Sequence, residues 1–207
     1  MFVGRRVIVD VEFVGWGSGI GIGRFGLVHE LTVADSRNLG YKSSMPIADH
    51  MKQVLGRPMG RIPSGVYILT AAAGDHHVAM LASWVQQASF DPPCLSIAVA
   101  KDRPVLEVIR QSGRLALSIL PEKDTTLMKK YARGFAPGED AFAGVTIVTT
   151  PGGLRAMDAA LGWMECKVVK ECDFGGDHLI VMAEVTAAAM LRDGQPFVHV
   201  RGSGFHY

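Results

Sequence analysis

Two short apolar runs, residues 77–83 and 94–100, each entered through turn-forming residues, constrain the fold of this chain more than any other feature. Gly74-Asp75 precedes the first and Asp91-Pro92-Pro93 the second. Runs of roughly seven apolar residues between such signals are too short for core helices and read as buried strands. Between them Ser83, Trp84, Gln86, Gln87 and Ser89 read as a polar loop, which sets hydroxyl and backbone N–H groups beside an apolar wall. That arrangement suits a flat cofactor with one face packed and its polar edge hydrogen-bonded.

The rest of the chain repeats the pattern. A strand over residues 66–72 turns at Gly74-Asp75 into the 77–83 strand, a hairpin. Asp102 as cap and Pro104 in the first turn open a helix with the apolar stripe Val105, Leu106 and Ile109, and Gly113 is its stop. A strand over 115–120, a helix over 124–133 and a loop through Phe135, Pro137 and Gly138 follow. The longest strands, 163–172 and 178–191, flank the turn Asp173-Phe174-Gly175-Gly176-Asp177, and 197–200 is a last strand. At least six strands with two helices between them favour a mainly β, antiparallel Greek-key barrel over a doubly wound sheet.

At 207 residues the length fits one domain with an appendage. A net charge of +1, with both signs interspersed, leaves no electrostatic footprint for nucleic acid or an anionic membrane, and no apolar run reaches the length of a span. The expected partner is therefore a small molecule. Cys94, Cys166 and Cys172 form no CxxC pair and are odd in number, so they read as reduced thiols in a cytoplasmic protein.

Residues 1–50 read as a poorly ordered or atypical extension to a domain over 51–207, with Met45 and Met51 as alternative starts. Within the extension, Gly21-Ile22-Gly23-Arg24-Phe25-Gly26 matches the dinucleotide fingerprint GxGxxG, but no helical period follows it, so it is rejected. Asp10 and Glu12 interrupt the preceding apolar stretch, which excludes a signal peptide.

The chemistry concentrates at two places. Where the 94–100 strand meets the helix start, free N–H groups, the positive dipole end, Lys101 and Arg103 converge with Asp102 into a candidate phosphate site; the bland alternative is solvated loop charge. Gly176-Asp177-His178 sits at the turn between the longest strands, although Gly74-Asp75-His76 carries the same tripeptide. His76-His77 does not suggest a metal, because neighbours in a strand point to opposite faces and no further ligand completes a site.

Several ordered motifs carry a family resemblance: Ala79-Met80, Ala82-Ser83-Trp84-Val85, Ser89-Phe90-Asp91-Pro92-Pro93, AVAKDRP from Ala98, GFAPGEDAFAGV from Gly134, LGWMEC from Leu161, Gly176-Asp177-His178 and the closing Ser203-Gly204-Phe205-His206-Tyr207. From about Met59 onward the chain resembles the flavin reductase family with the FMN-binding split barrel, and within it the C-terminal module of cyanobacterial flavodiiron (diflavin) proteins. The resemblance implies a six-stranded split β-barrel with flanking helices, FMN in preference to FAD as cofactor, NAD(P)H as substrate, and a homodimer. It implies that Ser83, Trp84, Val85, Ala88 and Ser89 hold the flavin, largely through backbone groups, that Lys101 and Arg103 hold its phosphate with Asp102 among the cofactor-binding residues, and that His178 lies near flavin and nicotinamide as the catalytic residue. Taken alone, Trp84 reads as a packing aromatic, and Phe135 and Phe142 as core. Leu81 departs from the many relatives with a hydroxyl there, removing one hydrogen bond to FMN. The implied function is an NAD(P)H:flavin oxidoreductase. The alternatives are an FMN electron-transfer module serving a separate diiron oxygen reductase, or a non-enzymatic flavin-binding domain.

Overall fold

The computed structural model describes residues 47–136 and 138–205. The 1–46 part of the N-terminal extension, with its GxGxxG match, lies outside the described residues, as do Pro137, His206 and Tyr207. In chain order the elements are α1 (Asp49–Gly60), β1 (Ser64–Gly65), β2 (Tyr67–Ala73), β3 (His76–Ala82), β4 (Val85–Phe90), β5 (Pro93–Ala100), α2 (Val105–Ser112), β6 (Arg114–Ile119), α3 (Thr125–Ala132), β7 (Ile147–Thr149), β8 (Arg155–Met157), β9 (Gly162–Cys172), β10 (His178–Met190) and β11 (Val198–His199).

The main sheet runs β3-β2-β6-β9-β10-β5-β4, all antiparallel. It has seven strands where six were expected, because the segment read as a loop over 83–89 is mostly β4. Val85, Gln86 and Gln87 pair with Ile97, Ser96 and Leu95, and polarity misled the reading: Gln86 and Gln87 are exposed on an end strand of the sheet. The ladder skips Ala88 before resuming at Ser89 opposite Cys94, the extra residue of a β-bulge.

Both faces of the β2–β3 hairpin are covered, so these strands are apolar almost throughout rather than alternating. Leu69 and Ala71 face a core closed by Val105, Leu106, Val108 and Ile109 of α2, while Val66, Ile68 and Ala79 face a second core with Leu127 and Tyr131 of α3 and with Met157. Helix α2 ends on Gly113 in the left-handed region, φ 67°, whose N–H donates to Ile109 O at 2.7 Å. Its N-cap is Pro104 with no side-chain cap bond, so Asp102 does not cap it. Asp124 does cap α3, accepting from the N–H groups of Thr126 and Leu127 at 3.1 Å. Helix α1, interrupted by Gly56, Pro58 and Gly60, carries too weak a helical signal to be read in the sequence. No helix among the described residues is long and apolar enough to cross a membrane.

The β7–β8 hairpin is fastened through buried polar groups. The Thr70 hydroxyl donates to Arg155 O at 2.7 Å, and the Ser118 hydroxyl accepts from Met157 N–H at 3.0 Å. Buried Glu165 accepts from Gly152 N–H at 2.8 Å and pairs with Arg114, and a Cβ on Gly152 would collide with both side chains. Burial alone would push the Glu165 carboxyl up, but the Thr150 hydroxyl, Gly152 N–H and Arg114 outweigh it and hold the carboxyl below its usual range. A folded-state value below the unfolded one gives stability that is complete above the unfolded value and fades as pH falls through the folded one. Glu165→Gln should therefore cost about 1–2 kcal/mol in urea unfolding at pH 7. The difference from wild type should shrink below about pH 4.3, and a difference independent of pH would contradict the charge pairing.

Candidate functional site

The residues at issue converge because β5 pairs with β10 in a register that sets His178 opposite Ala100 and Ala98 opposite Ile180. On the other side of β5, Trp84 O accepts from Ala98 N–H at 2.9 Å. The end of β3, the end of β5 and the end of α3 thus enclose a cleft of about 120 Å³ lined by Met80, Leu81, Ala82, Ser83, Ala98, Ala100, Arg103, Tyr131, Ala132 and Gly134. The alanines make a low wall that a planar ring can approach closely; Ser83, Arg103 and Tyr131 are the lining residues with polar side chains.

Of the residues expected from the sequence, Ser83 and Arg103 line the cleft. Lys101 is exposed and bonded to Asp173 Oδ1 at 2.8 Å, its backbone N–H to Asp177 O at 3.0 Å. This pairing, with the Gly175 N–H, holds the Asp173 carboxyl below its usual range. Asp102 is exposed and, like Lys101, is not among the cleft residues. Val85 is buried at the start of β4. Ala88 and Ser89 lie five and six residues along an extended chain from Ser83, about 16–20 Å at the rise of a strand, toward the β4–β5 turn.

His178, the first residue of β10, is 8% exposed. Its Nδ1 sits 2.8 Å from Asp177 Oδ1, and this contact holds the Asp177 carboxyl below its ordinary range. Its ring lies 4.7 Å from the Trp84 ring, tilted by 42°, and the Arg201 guanidinium covers the Trp84 ring at 5.0 Å. Trp84 is thus a packing aromatic whose packing partner is the candidate catalytic histidine.

The α3 side of the cleft is rigid. The Tyr131 hydroxyl donates to Ala141 O at 3.0 Å, and burial, with Asp140 nearby, pushes its phenol up to about 12, so it stays protonated at neutral pH. Arg133 pairs with Glu139, which also accepts from Ala136 N–H at 3.0 Å; these bonds hold the Glu139 carboxyl down at about 2 and tie the loop carrying Gly134. Phe135 packs edge-on against Tyr131 at 5.4 Å, and Phe142 is core beside Arg155 and His77. Sequence reasoning missed Tyr131 and Arg201, since only the tertiary packing of α3 and of the C-terminal segment brings them here.

A larger cavity, about 400 Å³, lies at the other end of β3 among His77, Gln111, Ser112, Arg114 and the Gly74 and Gly152-Gly153 turns. Its principal charge, Arg114, is already engaged by Glu165, and it holds none of the residues expected to bind flavin or to act in catalysis. The smaller cleft is the candidate site.

The fold and site define a flavin reductase-like split barrel, and residues 59–206 match the family described as "Flavin reductase like domain". The chain belongs to that family. It is 41% identical over 155 residues to diflavin flavoprotein A 1 of Synechocystis sp., covering 74% of this chain and 27% of that protein. The chain therefore spans about a quarter of the length of the curated relatives it matches. Among solved structures, nitrilotriacetate monooxygenase component B from Mycobacterium thermoresistibile superposes with TM-score 0.67 at 27% identity, covering 75% of this chain and 86% of that one. The NADH:FAD oxidoreductase of Streptomyces globisporus C-1027 superposes with TM-score 0.67 at 25% identity, covering 76% and 96%. The family and these neighbours support a flavin oxidoreductase.

The different surroundings of the two cations separate their roles. Arg103→Gln should weaken flavin binding by about tenfold or more, the loss of a charge-assisted bond to an anion. Lys101→Gln should change it by less than about threefold, because that lysine is held by Asp173. Fluorescence titration with FMN measures both, and the reverse ranking would place the anion at Lys101.

Proposed function

We propose that this protein is an NAD(P)H:flavin oxidoreductase that binds FMN in the cleft beside Ser83 and Arg103, receives a hydride from a nicotinamide, and passes electrons on as reduced flavin or to a partner protein. The observation that carries the reading is the composition of the cleft: small side chains at Ala82, Ala98 and Ala100 form the wall, with Ser83, Tyr131 and Arg103 as its polar side chains. This donor set fits a planar ring with an anionic tail. When bound, the flavin supplies the hydride-accepting ring.

In this reading Arg103 binds the phosphate, and Ser83 with the neighbouring backbone orients the polar edge. The Leu81–Ala82 wall excludes water from one face. His178, oriented by Asp177 and Trp84, positions the nicotinamide or moves a proton at the ring edge. The Streptomyces neighbour is named for FAD, so affinities for FMN and FAD should be compared directly; the resemblance to diflavin modules favours FMN. A second reading, an FMN electron-transfer module serving a separate diiron oxygen reductase, draws on the diflavin relatives, of which this chain spans about a quarter. Three free cysteines fit a reducing cytoplasm, and burial pushes the Cys166 thiol up to about 12.

The expected homodimer has a candidate face. Helix α1 packs inward through Gly56 and Gly60, whose carbonyls accept from Gly204 and Arg201 N–H, and turns Met51, Val54, Leu55 and Met59 outward, the inverse of a helix that seats its apolar face on its own core. A two-fold axis across the helix would set the exposed Val54 and Leu55 of two copies against each other. Val54→Glu should convert a dimer to a monomer by light scattering; an unchanged mass would move the interface elsewhere.

Anaerobic titration of the FMN-reconstituted protein with NADH and with NADPH tests the activity. Bleaching of the flavin band well ahead of free FMN is the expected result, with His178→Ala slower by about tenfold to a hundredfold. Bound FMN that neither nucleotide bleaches would favour the electron-transfer reading, and equal rates in wild type and His178→Ala would remove His178 from the mechanism.

A further inference from the structure

Among the described residues the buried acidic and basic side chains are Glu165, His178 and Arg201. Glu165 is answered by Arg114. The other two lie against the same indole, His178 at 4.7 Å and Arg201 at 5.0 Å from the Trp84 ring. An indole face favours a guanidinium held against it.

Each layer of this stack is anchored by its own backbone. Arg201 N–H donates to Gly60 O at 2.9 Å and Gly204 N–H to Gly56 O at 2.7 Å, which fixes the segment carrying Arg201 on α1. A Cβ on Gly60 would meet Arg201 O at 2.7 Å, so the close approach depends on the glycine. Trp84 is held through its carbonyl to Ala98 N–H and stands between Ser83 of the cleft and Val85 of β4. His178 is held at its edge by Asp177 and at its face by Trp84. The backbone of Trp84 is fixed by that bond, so a rotation of the indole would move the imidazole and leave the Ser83 corner of the cleft in place.

We propose that Arg201 is a positioning residue for His178: its guanidinium presses the Trp84 indole into the orientation that aligns the imidazole with the flavin cleft. The inference rests on the role given to His178 above. Arg201 is not among the residues lining the cleft; it acts through one ring on another.

The test is a mutant cycle on the anaerobic rate of flavin reduction by the preferred nicotinamide, with FMN affinity measured separately. Arg201→Met, which keeps length and removes the flat cation, should slow reduction by about tenfold with FMN affinity unchanged. In a His178→Ala background the same change should cost less than about twofold, because the group being positioned is gone. An equal factor lost in both backgrounds, or a loss confined to FMN affinity or thermal stability, makes Arg201 merely structural and overturns the proposal. A wild-type rate for Arg201→Met beside a slow His178→Ala overturns the positioning role alone. A wild-type rate for His178→Ala overturns both the positioning role and the reading on which it rests. Should Arg201→Met not fold, Arg201→Lys keeps the charge without the planar group and carries the same cycle, with a smaller loss that again vanishes when His178 is absent.

Discussion

The antiparallel pairing of β5 with β10 is the constraint on which the rest of the site depends. It sets His178 across from Ala100 and brings the Asp177 carbonyl to the Lys101 N–H, so the turn before β10 and the turn after β5 become one surface. Side chains alternate across a sheet, and a slip of one residue would exchange the wall-forming Ala98 and Ala100 for the buried Ile97 and Val99. The register is secured by that burial, since Leu95, Ile97 and Val99 share one core with Leu179, Val181 and Ala183. Core packing thus fixes site geometry, and among the cleft residues only Gly134, at φ 72°, takes a left-handed backbone.

What was legible in the sequence follows from which signals are local. Apolar runs with turn residues at their ends located β2, β3, β5, β6, β9 and β10, and the helix expected over 124–133 is α3; the cap expected at Asp102 is not made, because α2 starts after Pro104. Gly113 marked the end of α2 because a left-handed C-terminal residue is a local requirement. β4 was hidden because an edge strand with exposed glutamines has no apolar alternation to display, and β1, β7 and β8 are too short to carry a period. The tertiary partners of charges were not legible at all. Lys101 and Arg103 look equivalent two positions apart, yet one is bonded to Asp173 and the other faces the cleft. Arg201 gave no sign of its contact with Trp84, which joins segments 117 residues apart.

The two helices that follow strand ends divide the work. α2 seals the barrel core with four apolar side chains, whereas α3 places Tyr131 and Ala132 against the cleft and hands the chain to a loop pinned by Arg133 and Glu139. The cleft of about 120 Å³ accommodates part of a flavin and not the whole molecule. The remainder of a bound flavin would extend over the open surface beside it. The chain matches about a quarter of its diflavin relatives and most of the length of the Streptomyces NADH:FAD oxidoreductase.

A crystal structure with FMN bound tests the central claim most directly, because it asks which of two cavities on one molecule holds the ligand. The account predicts the phosphate at Arg103 and the ring against Ala82, Ser83, Ala98 and Ala100, with the His178–Trp84–Arg201 stack alongside. Flavin density in the larger cavity between Arg114, His77 and the Gly152-Gly153 turn, with the cleft empty, would contradict it.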